Sequence, residues 1–254
     1  MENRGKSPTR RQVLAGVTSG IALSTAGCLG SGGGDLPTET PTGPVSTAPI
    51  PDSPGDYTYA TAGTGDAPVQ VTYFGNWKCP FCADFSTGFL ADIVTDYVEP
   101  GTVDLTFRAL SYAGNGDPFL GKDAPRAARA GLAVWNVDPG SYWRFHEYVM
   151  QNQPPESKTW ADTDTLVTMA ENAGVSDPDA VESALSNGKY EKPVRQNTKA
   201  AAQAGIAGTP TLVVGGTTVN PIQSQERVRE LISQAQNETA TPGGGTGNRT
   251  ETDG

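Results

Sequence analysis

The sequence predicts an α/β fold: a β-sheet flanked by helices and interrupted by an all-helical insertion. Three observations carry this. An apolar run at 69–74, a helical pattern from 79 and an alternating run at 103–110 form a strand–helix–strand unit, for which a right-handed crossover is expected. Residues from about 117 to 204 show helical patterning with no strand between. Residues 206–236 then read as strand, turn, strand and helix.

Taken in order, residues 57–62 are expected to form an edge strand and 69–74 a buried one. The helix from 79 to about 97 places Phe85, Phe89, Leu90, Ile93, Val94 and Tyr97 at helical spacing, and Pro100-Gly101 stops it. In the insertion, helices are expected over 124–137, 142–151, 162–173, 177–185 and 189–204, punctuated by Asp-Pro-Gly, Gly174, Asn187-Gly188 and Gly205. Gly215-Gly216 between two β-rich runs is a hairpin signal. The last helix runs from Ser224 to about Gln236, with Val228, Leu231 and Ile232 on one side.

The chain of 254 residues has 31 Gly and 20 Pro, clustered at its ends, so one core is expected over 56–236. Residues 1–28 read as an export signal: Thr9-Arg10-Arg11-Gln12-Val13-Leu14 has the twin-arginine pattern, and the stretch after it is too short and interrupted to span a membrane. It ends in Thr25-Ala26-Gly27-Cys28, which resembles a lipobox although Thr25 stands where Leu is usual. Cys28 is therefore the expected lipidation site; the alternative is that it merely closes an ordinary signal. Residues 29–55 read as a disordered Gly/Pro/Thr-rich tether, and 237–254 as a disordered tail holding the acceptor patterns Asn237-Glu238-Thr239 and Asn248-Arg249-Thr250. The expected location is the outer face of the cell membrane, held by lipid alone.

Net charge is −10, although the leader is basic through Arg4, Lys6, Arg10 and Arg11. An acidic domain excludes nucleic acid as a partner, since phosphate binding needs a basic face. A lysine-poor acidic surface suits high salt, and an ordinary acidic secreted protein equally.

The chemistry concentrates in Cys79-Pro80-Phe81-Cys82, at the junction of strand and helix. Pro80 suits a first helical turn, which puts Cys79 at the helix start, where free N–H groups favour the thiolate. Lys78 adds a positive charge nearby. Cys82, one turn further in, is more shielded. Cys79 is thus the expected attacking thiol and Cys82 the resolving one. With Cys28 carrying lipid, only this pair is left to form a redox-active disulfide. Zinc binding is the competing reading, but four ligands are usual and one other Cys and one His are on offer. No metal and no cofactor are expected. His146, the only histidine, lies among aromatics and reads as structural; Trp77 and Phe81 read as an apolar rim for unfolded polypeptide, with Trp77 as well placed for the core.

The Cys79–Cys82 motif after a strand, the helical insertion with Tyr142-Trp143-Arg144-Phe145-His146-Glu147, and Gly208-Thr209-Pro210-Thr211 before a ββα end together resemble the DsbA-like branch of the thioredoxin superfamily over residues 56–236. The resemblance implies a thioredoxin-like fold: a central mixed sheet of four or five strands flanked by helices, with the helical insertion as a cap. It implies a cis peptide at Pro210, with the Thr209 backbone facing Cys79 and able to pair with an extended substrate. With the export signal it implies an exported oxidoreductase acting on cysteines of other exported proteins and recycled by a membrane or extracellular redox partner, and Pro80-Phe81 leans the reading toward oxidase rather than reductase. A dedicated reductase, an isomerase and a non-catalytic thioredoxin-like binding lipoprotein are the alternatives. The chain departs from the family where Phe81 replaces a histidine and where Tyr73 stands in place of a buried acid, leaving water or a distant carboxylate as base.

Overall fold

The computed structural model describes residues 36–240. The twin-arginine stretch, Cys28, residues 29–35 and the tail from 241 lie outside the described residues.

Five strands form one mixed sheet in the order β1-β3-β2-β4-β5. They are β1 (Thr61–Ala62), β2 (Val69–Gly75), β3 (Val103–Ala109), β4 (Thr211–Val214) and β5 (Thr217–Val219). β2 and β3 run parallel, with Tyr73 opposite Phe107; every other pairing is antiparallel. Val69, Val71 and Tyr73 of β2 are buried and so are Val103, Leu105 and Phe107 of β3, alternate residues that turn one face of each strand to the core. The Gly215-Gly216 turn joins β4 to β5 with positive φ at both residues, which only glycine adopts freely.

Eight α-helices surround the sheet among the described residues: α1 (Pro80–Ser86), α2 (Phe89–Ile93), α3 (Ala124–Val137), α4 (Tyr142–Asn152), α5 (Thr163–Asn172), α6 (Pro178–Ser186), α7 (Glu191–Gln203) and α8 (Gln225–Ala240). α1 packs on α4, α8 on β2 and β4, and α7 on β3 and α3. Asp162 and Asp177 cap α5 and α6 by accepting the N–H of Thr165 and Ala180. The core between α1, α4 and the sheet is aromatic: Trp77, Phe85, Tyr142, Trp143, Phe145 and Tyr148 are fully buried.

Three sequence expectations are corrected. The helix from 79 to 97 is broken into α1, α2 and a π-helical turn over Val94–Val98. Thr87 turns its hydroxyl back onto Ala83 O, and at Gly88 a Cβ would sit 2.9 Å from Asp84 O, so the backbone takes a path closed to larger residues. The expected tether over 29–55 is, from 36 onward, seated on the domain. Val45 and Ala48 are buried, Ser46 N–H donates to Glu147 Oε2 at 2.8 Å, Thr40 donates to Asn172 O at 3.0 Å, and Tyr148 donates to Pro37 O. A few apolar residues suffice there because α4 and α5 already present a face to cover. At the other end, α8 continues to Ala240, past its expected end at 236, and takes in Asn237.

Candidate active site

β2 delivers the chain at Gly75, and a turn of four residues leads into α1. Asn76 shapes that turn. Its carbonyl accepts the Cys79 N–H at 3.0 Å and its Oδ1 accepts the Lys78 N–H at 2.9 Å. Its side-chain amide reaches Leu110 O at 2.9 Å and Phe119 O at 3.0 Å, tying the turn to the loop after β3. Cys79 is the N-cap of α1 and Pro80 its first residue, as the motif predicts.

The two sulfurs stand in unlike surroundings. Cys79 keeps 4% of its surface and Cys82 none. A hydrogen bond from Cys82 pulls the Cys79 thiol down to about 6 from its ordinary 9.0; burial opposes this, and the Thr209 side chain and the N–H groups of Cys82 and Phe81 assist it. Burial pushes the Cys82 thiol well above the ordinary value, and the partner sulfur adds to the rise. The Asn76 N–H donates to Cys82 Sγ at 3.4 Å.

Thr209-Pro210 is the cis peptide in the described chain, and it brings Thr209 O to 3.5 Å from Cys79 Sγ, 130 residues away in sequence. Phe81 is 60% exposed beside the sulfurs, whereas Trp77 is in the core, against Phe107 and Phe145. An apolar groove of about 260 Å³ opens next to the cis loop, between Leu110, Phe119, Ala202 and Ile206.

Lys78 does not supply the expected charge. Its ammonium is buried against Asp123 Oδ1 at 2.5 Å and donates to Lys158 O at 2.9 Å, so it is already neutralised. Asp123 Oδ2 in turn accepts the N–H groups of Trp160 and Ala161, each at 2.9 Å. His146 is fully buried, and burial holds its imidazole down at about 3, hence neutral at physiological pH, in line with a structural reading. Sequence reasoning missed Asn76, Ser86 and Asp123; only Asp123, just before an Ala-rich helix, carried a local signal.

A family model described as thioredoxin matches residues 56–234. The chain belongs to the thioredoxin family. It is similar to disulfide bond formation protein D of Bacillus subtilis, at 27% identity over 172 residues, covering 68% of this chain and 74% of that one. The probable disulfide bond formation protein D of Bacillus cereus is 30% identical over 165 residues, covering 65% and 73%. The crystal structure of oxidised BdbD from Bacillus subtilis superposes with a TM-score of 0.64 at 26% identity, over 76% of this chain and 98% of that one. Chlamydia trachomatis DsbA shares the fold, with a TM-score of 0.62 at 21% identity over 72% and 94%. The thioredoxin-like fold expected from the motifs is thus the fold found, and the chain is a thiol–disulfide oxidoreductase.

Proposed function

We propose that the protein is an exported, lipid-anchored oxidase of dithiols in other exported proteins, with Cys79 as the exchanging cysteine and Cys82 as its disulfide partner. The observation that carries this is the contrast between the sulfurs: Cys79 retains surface and its thiol lies near about 6, while Cys82 is enclosed and its thiol is raised. A thiolate stabilised in the reduced protein favours reduction of the pair and so oxidation of the substrate.

The step runs as follows. A substrate thiolate attacks Cys79 Sγ; the Cys79–Cys82 bond breaks, Cys82 leaves as thiolate and the substrate is joined to Cys79. The substrate's second cysteine loses its proton and attacks the substrate sulfur of that mixed disulfide, and Cys79 leaves as thiolate, a good leaving group because its pKa is low. The substrate loses two electrons and the pair gains them. An outside oxidant, a membrane or extracellular redox protein, then restores the pair. During exchange the Thr209 carbonyl takes a backbone N–H of the extended substrate, and the groove beside Ile206 and Phe119 takes apolar side chains.

Export rests on the twin-arginine pattern at Arg10-Arg11 and anchoring on Cys28; among the described residues no helix is long and apolar enough to cross a membrane. The test is the reduction potential of the Cys79–Cys82 couple in graded glutathione buffers. A value near about −120 mV supports the oxidase, and one near about −270 mV marks a reductase instead.

A further inference from the structure

Two hollows meet along α7 beside the cis loop. The first, of about 260 Å³, is the apolar groove between Leu110, Phe119 and Ile206; the second, of about 270 Å³, is lined by Gly116, Arg195 and Lys199. Tyr112, Ala113, Gly114, Thr198 and Ala202 line both, so the two are one groove. It leaves the cis loop at Ile206-Ala207 and ends on two cations. Ala202 and Arg195 stand seven residues apart on α7, about 10 Å of helix, which an extended chain covers in about three residues.

The exchange step above makes no use of the charge at the far end. α7 holds Lys192, Arg195 and Lys199 against Glu191 alone, in a chain of net charge −10. Glu191 does not cancel them. Its carboxylate accepts the Tyr112 hydroxyl at 2.6 Å, pairs with Arg195 Nε at 2.8 Å and lies 3.8 Å from Arg129 Nε, so one negative charge is shared by two guanidiniums. The Arg195 guanidinium lies over the Tyr112 ring at 4.2 Å, a cation–π contact that keeps it at the groove wall. Lys199, one turn on, is exposed and has no acidic side chain within ion-pair distance among the described residues. The acid of the facing loop, Asp117, is held by the Asn115 amide at 2.8 Å and stands outside the lining.

We propose that this groove selects clients by charge: one extended client segment puts an apolar side chain in the hollow at Phe119 and Ile206 and an acidic side chain at Arg195 and Lys199. The inference rests on the exchange reading above and adds to it the chemical class of the client. Charge complementarity points to an acidic occupant. The net charge of the chain repels an acidic segment, so such a segment settles where the sign is reversed, and that place opens two residues before Thr209, whose carbonyl faces Cys79. A basic segment meets the opposite arrangement: it is drawn to the rest of the surface and repelled in the groove. Arg195 and Lys199 are thus specificity-determining residues. They act on which client is held beside Cys79, and the transfer of electrons stays with the two sulfurs.

The experiment measures how fast peptide dithiols reduce the oxidised protein at neutral pH and low ionic strength, in the full chain with Cys28→Ser so that only the motif exchanges. Samples are quenched in acid and the oxidised and reduced protein are separated by mass. Each peptide carries a cysteine pair, a leucine beside it and Asp-Asp about four residues beyond, with a twin that has Asn-Asn instead. Both are made with the acids on either side of the cysteines. The peptide gives two electrons to the Cys79–Cys82 bond and closes its own disulfide. Two exposed charge pairs predict that, on one side, the Asp-Asp peptide reacts about three- to tenfold faster than its twin. Arg195→Gln with Lys199→Gln brings the two rates within about 1.5-fold of each other, and Lys199→Glu alone leaves the Asp-Asp peptide no faster than its twin. Ala202→Trp fills the groove and abolishes the preference although both cations remain. Equal rates for the twins on both sides in wild type overturn the inference. So does a preference that survives Ala202→Trp, which would make it attraction at a distance rather than seating in the groove. If the double variant does not fold, an unchanged preference in Lys199→Glu overturns the inference by itself. A wild type that takes electrons neither from dithiothreitol nor from any peptide removes the oxidoreductase reading and this one together, whereas a wild type reduced by dithiothreitol and indifferent to the acids removes this one alone.

Discussion

Lys78 precedes Cys79 in the chain, yet its ammonium is buried on Asp123 Oδ1 at 2.5 Å. The pair fastens the turn before α1 to the start of α3 and, through Asp123 Oδ2, to the segment at Trp160 and Ala161. Breaking such a pair leaves one buried charge uncompensated. Lys78→Met is expected to cost about 3–5 kcal/mol, read as a lower urea midpoint, and adding Asp123→Leu to recover little of that loss, since the Trp160 and Ala161 N–H groups would then lose their acceptor.

Alkylation of the reduced protein by iodoacetamide should follow the Cys79 thiolate, rising through a midpoint near about 6, with Cys82 unmodified over the same range. A midpoint near 9 would remove the hydrogen-bond account of Cys79.

The same shift sets a pH dependence of stability. The Cys79 pKa is lower in the folded protein than in the unfolded chain, so the folded reduced protein binds fewer protons between about 6 and 9. Its stabilisation is full above the upper value and is lost as pH falls toward the lower. Urea midpoints of the reduced protein should therefore drop from pH 9 to pH 6 relative to Cys79→Ser, which lacks the group.

Cys82→Ser should accumulate mixed disulfides through Cys79, visible as higher bands on non-reducing gels of exported proteins. Cys79→Ser should form none and lose all exchange. Exchange surviving in Cys79→Ser would take the attacking role from that residue.

Val45 is 99% enclosed although it comes from a stretch of Pro, Thr and Gly. Val45→Ala should cost about 2 kcal/mol in urea unfolding and open residues 36–55 to protease. Gly43→Ala should act in the same direction, since a Cβ there would lie 2.6 Å from Glu147 Oε1.

The parts legible in the sequence were those with a local period or a rigid residue. The apolar run at 69–74, the alternating run at 103–110, the Gly215-Gly216 turn, and Pro80 after Cys79 each act within a few residues, and the structure has all of them. What escaped was decided by partners far along the chain. The charge on Lys78 depends on Asp123, 45 residues on. The seating of Val45 and Ser46 depends on a face of α4 that begins about a hundred residues later. Ser86 reads as an ordinary helix residue until the fold puts Tyr73 on one side of it and His146 on the other.

The two outermost strands of the sheet, β1 and β5, are 2 and 3 residues long. A passing unfolded chain therefore finds almost no run of free backbone groups on either rim against which to lay itself down. If its clients are unfolded chains, as the proposed function has it, short rims keep encounters from growing into shared sheets. In the proposed exchange a client pairs instead with the carbonyl of Thr209, 3.5 Å from the sulfur of Cys79, so that a client which adheres there would also adhere where it can react.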